Sequence, residues 1–126
     1  MEVQTVAETR WTPMQRMAIE LRGCDILVSA AAGAGKTSVL VERLIRRILD
    51  PDHPLDLGRL LAVTFTEKAA AEMKQRIRAS LNKAQEESPG DARVQNQIKM
   101  LELAQISTIH AFCLSIARKY FYKAGL

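Results

Sequence analysis

The sequence predicts an α/β domain, a parallel sheet with flanking helices, on three observations. Short apolar runs of strand type, residues 25–29 and 60–66, alternate with longer stretches whose apolar residues recur at helical spacing. Between the first run and the helical pattern after it stands a small-residue octet, Ala-Ala-Ala-Gly-Ala-Gly-Lys-Thr at 30–37. The chain has 126 residues, enough for one domain with a real core and too few for two substantial ones.

Hydrophobic residues make up 48% and charged residues 25%, an ordinary globular balance, and no apolar run approaches the roughly 20 residues of a membrane span. No basic start followed by an apolar core and a small-residue cleavage site marks a secretory signal, so the expected address is cytoplasmic with no membrane partner. Cys24 and Cys113 lack CxxC spacing and sit in or beside apolar segments, which predicts reduced, packed thiols without a disulfide or metal role. Lys plus Arg number 18 against 14 Asp plus Glu, a net charge of +4 that is weak evidence for an anionic partner. Its placement says slightly more, because Lys68, Lys74, Arg76 and Arg78 share one predicted helix and Arg118, Lys119 and Lys123 end another.

Residues 1–10 lack apolar periodicity and read as a flexible N-terminal arm. Thr12-Pro13-Met14-Gln15 then starts a helix, with Thr12 as N-cap, Pro13 at the first helical position and Gln15 where a capping box places Glu or Gln. It runs to residue 21 or 22 and stops at Gly23. Two readings of Gln15 compete. Its amide suits the return bond to the Thr12 backbone, and its adjacent donor and acceptor also match the N6 and N7 edge of adenine.

Residues 25–29 (Asp-Ile-Leu-Val-Ser) lead as a strand into the octet. The octet has the spacing of a phosphate-binding P-loop, with Ala30 where Gly is usual, and a helix over 37–49 follows on Val41, Leu44, Ile45 and Ile48. Strand, loop and helix are the context that motif requires. Gly33 and Gly35 let successive N–H groups turn inward around a phosphate, and the helix start adds positive potential. Lys36 is placed to reach the β- and γ-phosphates and the Thr37 hydroxyl to hold Mg²⁺.

Residues 50–54 (Asp-Pro-Asp-His-Pro) form a loop in which His53 is a solvated side chain. The apolar, β-branched run at 60–66 is a second buried strand, joined to the first through the helix as a right-handed βαβ unit. A long amphipathic helix over 67–85 carries Ala70, Met73, Ile77 and Leu81 on one face. A turn at 86–91 precedes a helix over 92–104, and 106–109 is either a third strand or an extended link. The closing helix, 110–123, packs Phe112, Ile116 and Ala117 and ends near Gly125.

Hydrolysis on a P-loop needs an acidic residue at the end of a buried strand to hold Mg²⁺, a group positioning water and often an arginine. No apolar run here ends in Asp-Glu. A nucleotide-binding piece of a larger motor, a small P-loop kinase and a non-enzymatic nucleic-acid-binding module with a vestigial P-loop therefore stand as alternatives. The kinase needs a mobile basic lid, for which no stretch is apparent.

Four stretches in order resemble superfamily 1 DNA helicases of the UvrD/RecB type. Trp11-Thr-Pro-Met-Gln15 is similar to the adenine-reading glutamine segment and residues 30–37 to Walker A. Thr64-Phe-Thr-Glu-Lys-Ala-Ala-Ala-Glu-Met73 resembles motif Ia, and Ile106-Ser-Thr-Ile-His-Ala-Phe-Cys113 resembles motif Ib. The wording is closest to the helicase–nuclease branch that processes double-strand breaks for repair by recombination. The resemblance implies a P-loop NTPase of RecA-like fold, with residues 11–126 as the N-terminal part of an incomplete first motor domain. Walker B, the arginine-bearing motifs and a nuclease would then lie beyond Leu126. It implies ATP and Mg²⁺ as cofactors, held by Gln15, Ala30, Ala31, Ala32, Gly33, Ala34, Gly35, Lys36, Thr37 and Ser38, with Lys36 and Thr37 catalytic and Thr37 the metal contact. Single- and double-stranded DNA are the implied substrates, and an AddB-like second helicase–nuclease protein is an implied partner.

In motifs Ia and Ib the resemblance implies DNA contacts by Thr64, Phe65, Thr66, His110 and Phe112, through phosphate-seeking hydroxyls and ring stacking. Phe65 reads equally as a core strand residue, and Phe112 equally as packing. Glu67 departs from the Asn of many relatives. A carboxylate repels phosphate and suits instead the N-terminal end of its helix.

Overall fold

Residues 12–15 form the helix start that their types dictate. In a computed structural model describing residues 11–29 and 35–125, helix α1 spans Pro13–Glu20. Thr12 Oγ1 accepts from the Gln15 N–H at 3.2 Å and Gln15 Oε1 accepts from the Thr12 N–H at 3.0 Å, a complete capping box. The chain falls into two units, Met1–Arg46 and Arg47–Leu126.

In the first unit, α2 (Lys36–Ile48) begins directly after Gly35, and the Val39 N–H donates to the Gly35 carbonyl at 3.0 Å. Val41, Leu44 and Ile48 are buried as the helical period predicts, joined by Val39, while Ile45 is half-buried. Arg46 bridges Glu42 on its own helix at 2.9 Å and Glu20 of α1 at 3.2 Å.

Residues 25–29 do not form the expected strand. They make no ladder among the described residues, and Leu27 is 96% exposed. A strand is defined by a partner's backbone, and apolar composition alone supplies none.

The second unit holds the observed sheet. After the loop, a 3₁₀ turn (Leu57–Arg59) leads into β1 (Leu61–Thr64), which pairs in parallel with β2 (Gln105–Thr108). The segment at 106–109 is thus a strand rather than a link. The connection is α3 (Glu67–Glu87) and α4 (Ala92–Leu101), so the parallel unit lies one step later in the chain than the sequence suggested. Ala70, Met73, Ile77 and Leu81 of α3 are all buried, and α3 packs on both strands and on α4. β1 is shorter than residues 60–66 and only half-buried: Ala62 faces the core, whereas Leu61 and Val63 are exposed.

Helix α4 stops at Leu101, three residues before Ala104, with turns carrying the chain into β2. The last helix, α5 (Ile109–Tyr120), gives way to a 3₁₀ turn, Phe121–Ala124. It buries no residue: Phe112 is half-buried, Ala117 is exposed and Ile116 is 43% exposed, contrary to the expected packing. Both cysteines are free and exposed, which corrects the expectation that they are packed. Adjacent apolar residues marked them for a core, but neither of their segments is covered among the described residues.

Candidate functional site

The nucleotide-binding candidate is assembled from α1 and the start of α2. Gly35 has φ 80°, a conformation that suits glycine, and the helix begins at the next residue. Lys36 and Thr37 are exposed and Ser38 half-buried on the first turn of α2, which holds no acidic side chain. An anion approaching that end meets helix N–H groups, an ammonium and a hydroxyl without carboxylate repulsion. Ala30, Ala31, Ala32, Gly33 and Ala34 lie outside the described residues.

Gln15 comes from α1 to the same place. A Cβ added at Gly35 would sit 3.7 Å from Gln15 Nε2, so the side chain that closes the capping box also borders the Gly-Lys-Thr turn. Both sequence readings of Gln15 are compatible, because the amide oxygen that accepts from Thr12 keeps a second lone pair. A cavity of about 420 Å³ opens beside them, its lining including Met14, Gln15, Met17, Leu27, Lys36 and Val39. That volume lies within the range of small-molecule sites.

Two side chains outside every motif shape the units. Arg43 Nη1 donates to the carbonyls of Ala18 at 3.0 Å, Ile19 at 3.2 Å and Leu21 at 2.6 Å, serving the C-terminal end of α1, whose own last turn holds no basic residue. Gln97, 7% exposed, donates from Nε2 to the Leu55 carbonyl at 2.6 Å and accepts from the Leu57 N–H at 3.3 Å. The spacing 94, 97, 101 places Gln97 on the buried stripe of α4 and was its available signal. Arg43 has no local signal, since its acceptors lie more than twenty residues away in sequence.

The candidate nucleic-acid edge belongs to the second unit. Because Thr64 lies opposite Thr108 in a parallel ladder, residues 65–67 and 109–111 leave the same edge of the sheet. There α3 and α5 begin, capped by Thr66 Oγ1 accepting from the Ala69 N–H and Thr108 Oγ1 accepting from the Ala111 N–H, each at 3.1 Å. Phe65 is 102% exposed, which removes the core reading. His110 is exposed beside it in the ladder's continuation, and the Thr64 hydroxyl donates to the Thr66 carbonyl at 2.8 Å. Thr66 uses its oxygen as a cap but keeps a proton to donate. Glu67 occupies the first turn of α3, the position that favours its charge.

A parallel sheet with flanking helices, ligand-type side chains at its strand ends and a Gly-Lys-Thr turn opening a helix define an α/β domain of helicase type. The chain belongs to the UvrD/REP helicase family: the model for the UvrD/REP helicase N-terminal domain matches residues 11–126. Over 122 residues it is 52% identical to the A subunit of the ATP-dependent helicase/nuclease of Bacillus licheniformis, covering 97% of this chain and 10% of that protein. The corresponding helicase/nuclease proteins of Moorella thermoacetica (55% over 116 residues, 92% of this chain, 8% of the relative) and Bacillus pumilus (48% over 126 residues, 100% of this chain, 10% of the relative) are similarly related. The chain thus spans about a tenth of the length of the curated relatives it matches.

Proposed function

We propose that this chain is the ATP-binding beginning of the first RecA-like motor domain of an ATP-dependent DNA helicase, in a helicase–nuclease that processes double-strand breaks for recombination. The observation that carries the reading is the Gly35 turn at φ 80° with Lys36 and Thr37 exposed on an acid-free first helical turn and Gln15 at its side. The residues fit the group: Lys36 offers an ammonium to the β- and γ-phosphates, Thr37 an oxygen to Mg²⁺, and residues 30–35 with Ser38 the surrounding N–H groups. Gln15 holds adenine through N6 and N7 while it caps α1. When bound, ATP supplies the free energy of phosphoanhydride cleavage that drives translocation.

The sheet edge is the single-stranded DNA track in this reading. The exposed ring of Phe65 stacks on a base, Thr64, Thr66 and His110 reach phosphates, and Phe112 supports the α5 start. A cytoplasmic address and partnership with a second helicase–nuclease protein follow from the relatives' function. The described residues contain no helix long and apolar enough to cross a membrane.

Titration of the protein with a fluorescent ATP analogue and Mg²⁺ tests the nucleotide site. Binding that Lys36→Ala weakens at least about tenfold is the expected result, equivalent to ~1.4 kcal/mol or more. Equal binding by wild type and Lys36→Ala would support a vestigial P-loop instead.

A further inference from the structure

Helix α1 is only eight residues long, about two turns, too short to hold itself in place by its own backbone hydrogen bonds. Its capping box closes within the helix, so it fixes the Gln15 rotamer without fixing where α1 lies. Position must come from contacts with α2. One is apolar burial of Ile19 at the far end of α1. A second, Arg46–Glu20, joins an exposed glutamate, so solvent and salt weaken it. The third is Arg43, whose guanidinium meets three carbonyls at the negative end of the helix dipole.

The two helices are therefore pinned at both ends of one short span. Gln15 borders Gly35 at one end, and residues 18–21 meet Arg43 at the other. Arg43 follows Lys36 by seven positions, about two turns, which puts it on the same face of α2 roughly 10 Å further along. We propose that Arg43 is a positioning residue for nucleobase selection: it sets the register of α1 on α2 and thereby the placement of the Gln15 amide. Loss of the guanidinium frees α1 to shift, carrying Gln15 with it, whereas Lys36 and Thr37 ride on α2 and stay. Base reading and phosphate grip then separate. The inference rests on the assignment of Gln15 to adenine made above.

The test is competition binding of ATP, GTP and inorganic tripolyphosphate to the intact protein, in wild type, Gln15→Ala, Arg43→Gln and Arg43→Lys. Wild type is expected to prefer ATP over GTP by about tenfold, the value of one well-placed hydrogen bond. Arg43→Gln should reduce that preference below about threefold while tripolyphosphate affinity stays within about twofold. Arg43→Lys should recover part of the preference, since an ammonium also donates to helix-end carbonyls. Hydrogen exchange should show α1 amides losing protection in Arg43→Gln with α2 unchanged. A full ATP preference in Arg43→Gln overturns the proposal, as does an equal loss of tripolyphosphate binding. Wild-type indifference to the base, or a preference that survives Gln15→Ala, overturns the Gln15 assignment and the positioning role with it.

Discussion

Thr64 faces Thr108 across the parallel ladder, and this single pairing brings the two segments resembling motifs Ia and Ib to one edge of the sheet. They are more than forty residues apart in sequence, separated by α3 and α4. Parallel strands need such a crossover, and its consequence is that both strands end on the same side, where the following helices present their N–H ends.

Phe65 at that edge has no packing role to lose, since its ring is fully exposed. Phe65→Ala should therefore leave the urea unfolding midpoint within error of wild type. If a base stacks on the ring, the substitution should weaken oligo-dT binding by ~1–3 kcal/mol in fluorescence anisotropy. Unchanged DNA affinity would remove Phe65 from the track.

Gly35→Ala should be costly although its space is open. The nearest atom to an added Cβ is 3.7 Å away, an ordinary contact, but φ 80° is strained for any L side chain. A loss of ~1–2 kcal/mol in stability or a displaced loop with weaker nucleotide binding is expected. Calorimetry with and without ATP distinguishes the two, and a variant indistinguishable from wild type in both would contradict the geometry.

Gln97→Leu keeps the volume near that of glutamine and removes the polar groups. It leaves the Leu57 N–H and the Leu55 carbonyl without the partner that the buried amide provides. Each such orphan costs ~1–3 kcal/mol, so urea denaturation should show a loss of at least about 2 kcal/mol. A stability equal to wild type would mean that water reaches both groups.

Helix starts were legible because their signals are local. Thr12 with Gln15 and the stripe from Ala70 to Leu81 need only neighbours three or four positions away, and each stands where its residue types put it. The strands were less so. The apolar run at 25–29 and the run at 61–64 look alike as sequence, yet only the second finds a ladder partner among the described residues. Burial on α5 failed for the same reason, since periodicity names an apolar face without saying whether anything covers it.

By itself, then, the order of residues determined the helices, their caps and the Gly-Lys-Thr turn with the side chains beside it, all consequences of backbone geometry within a few positions. Tertiary structure alone decided that β1 pairs with β2, that Phe65 faces solvent, and that Arg43 holds the end of α1. Those outcomes depend on groups distant in the chain meeting in space, where pairing of backbone N–H and C=O and the closing of apolar faces select one arrangement among several that local preference permits equally.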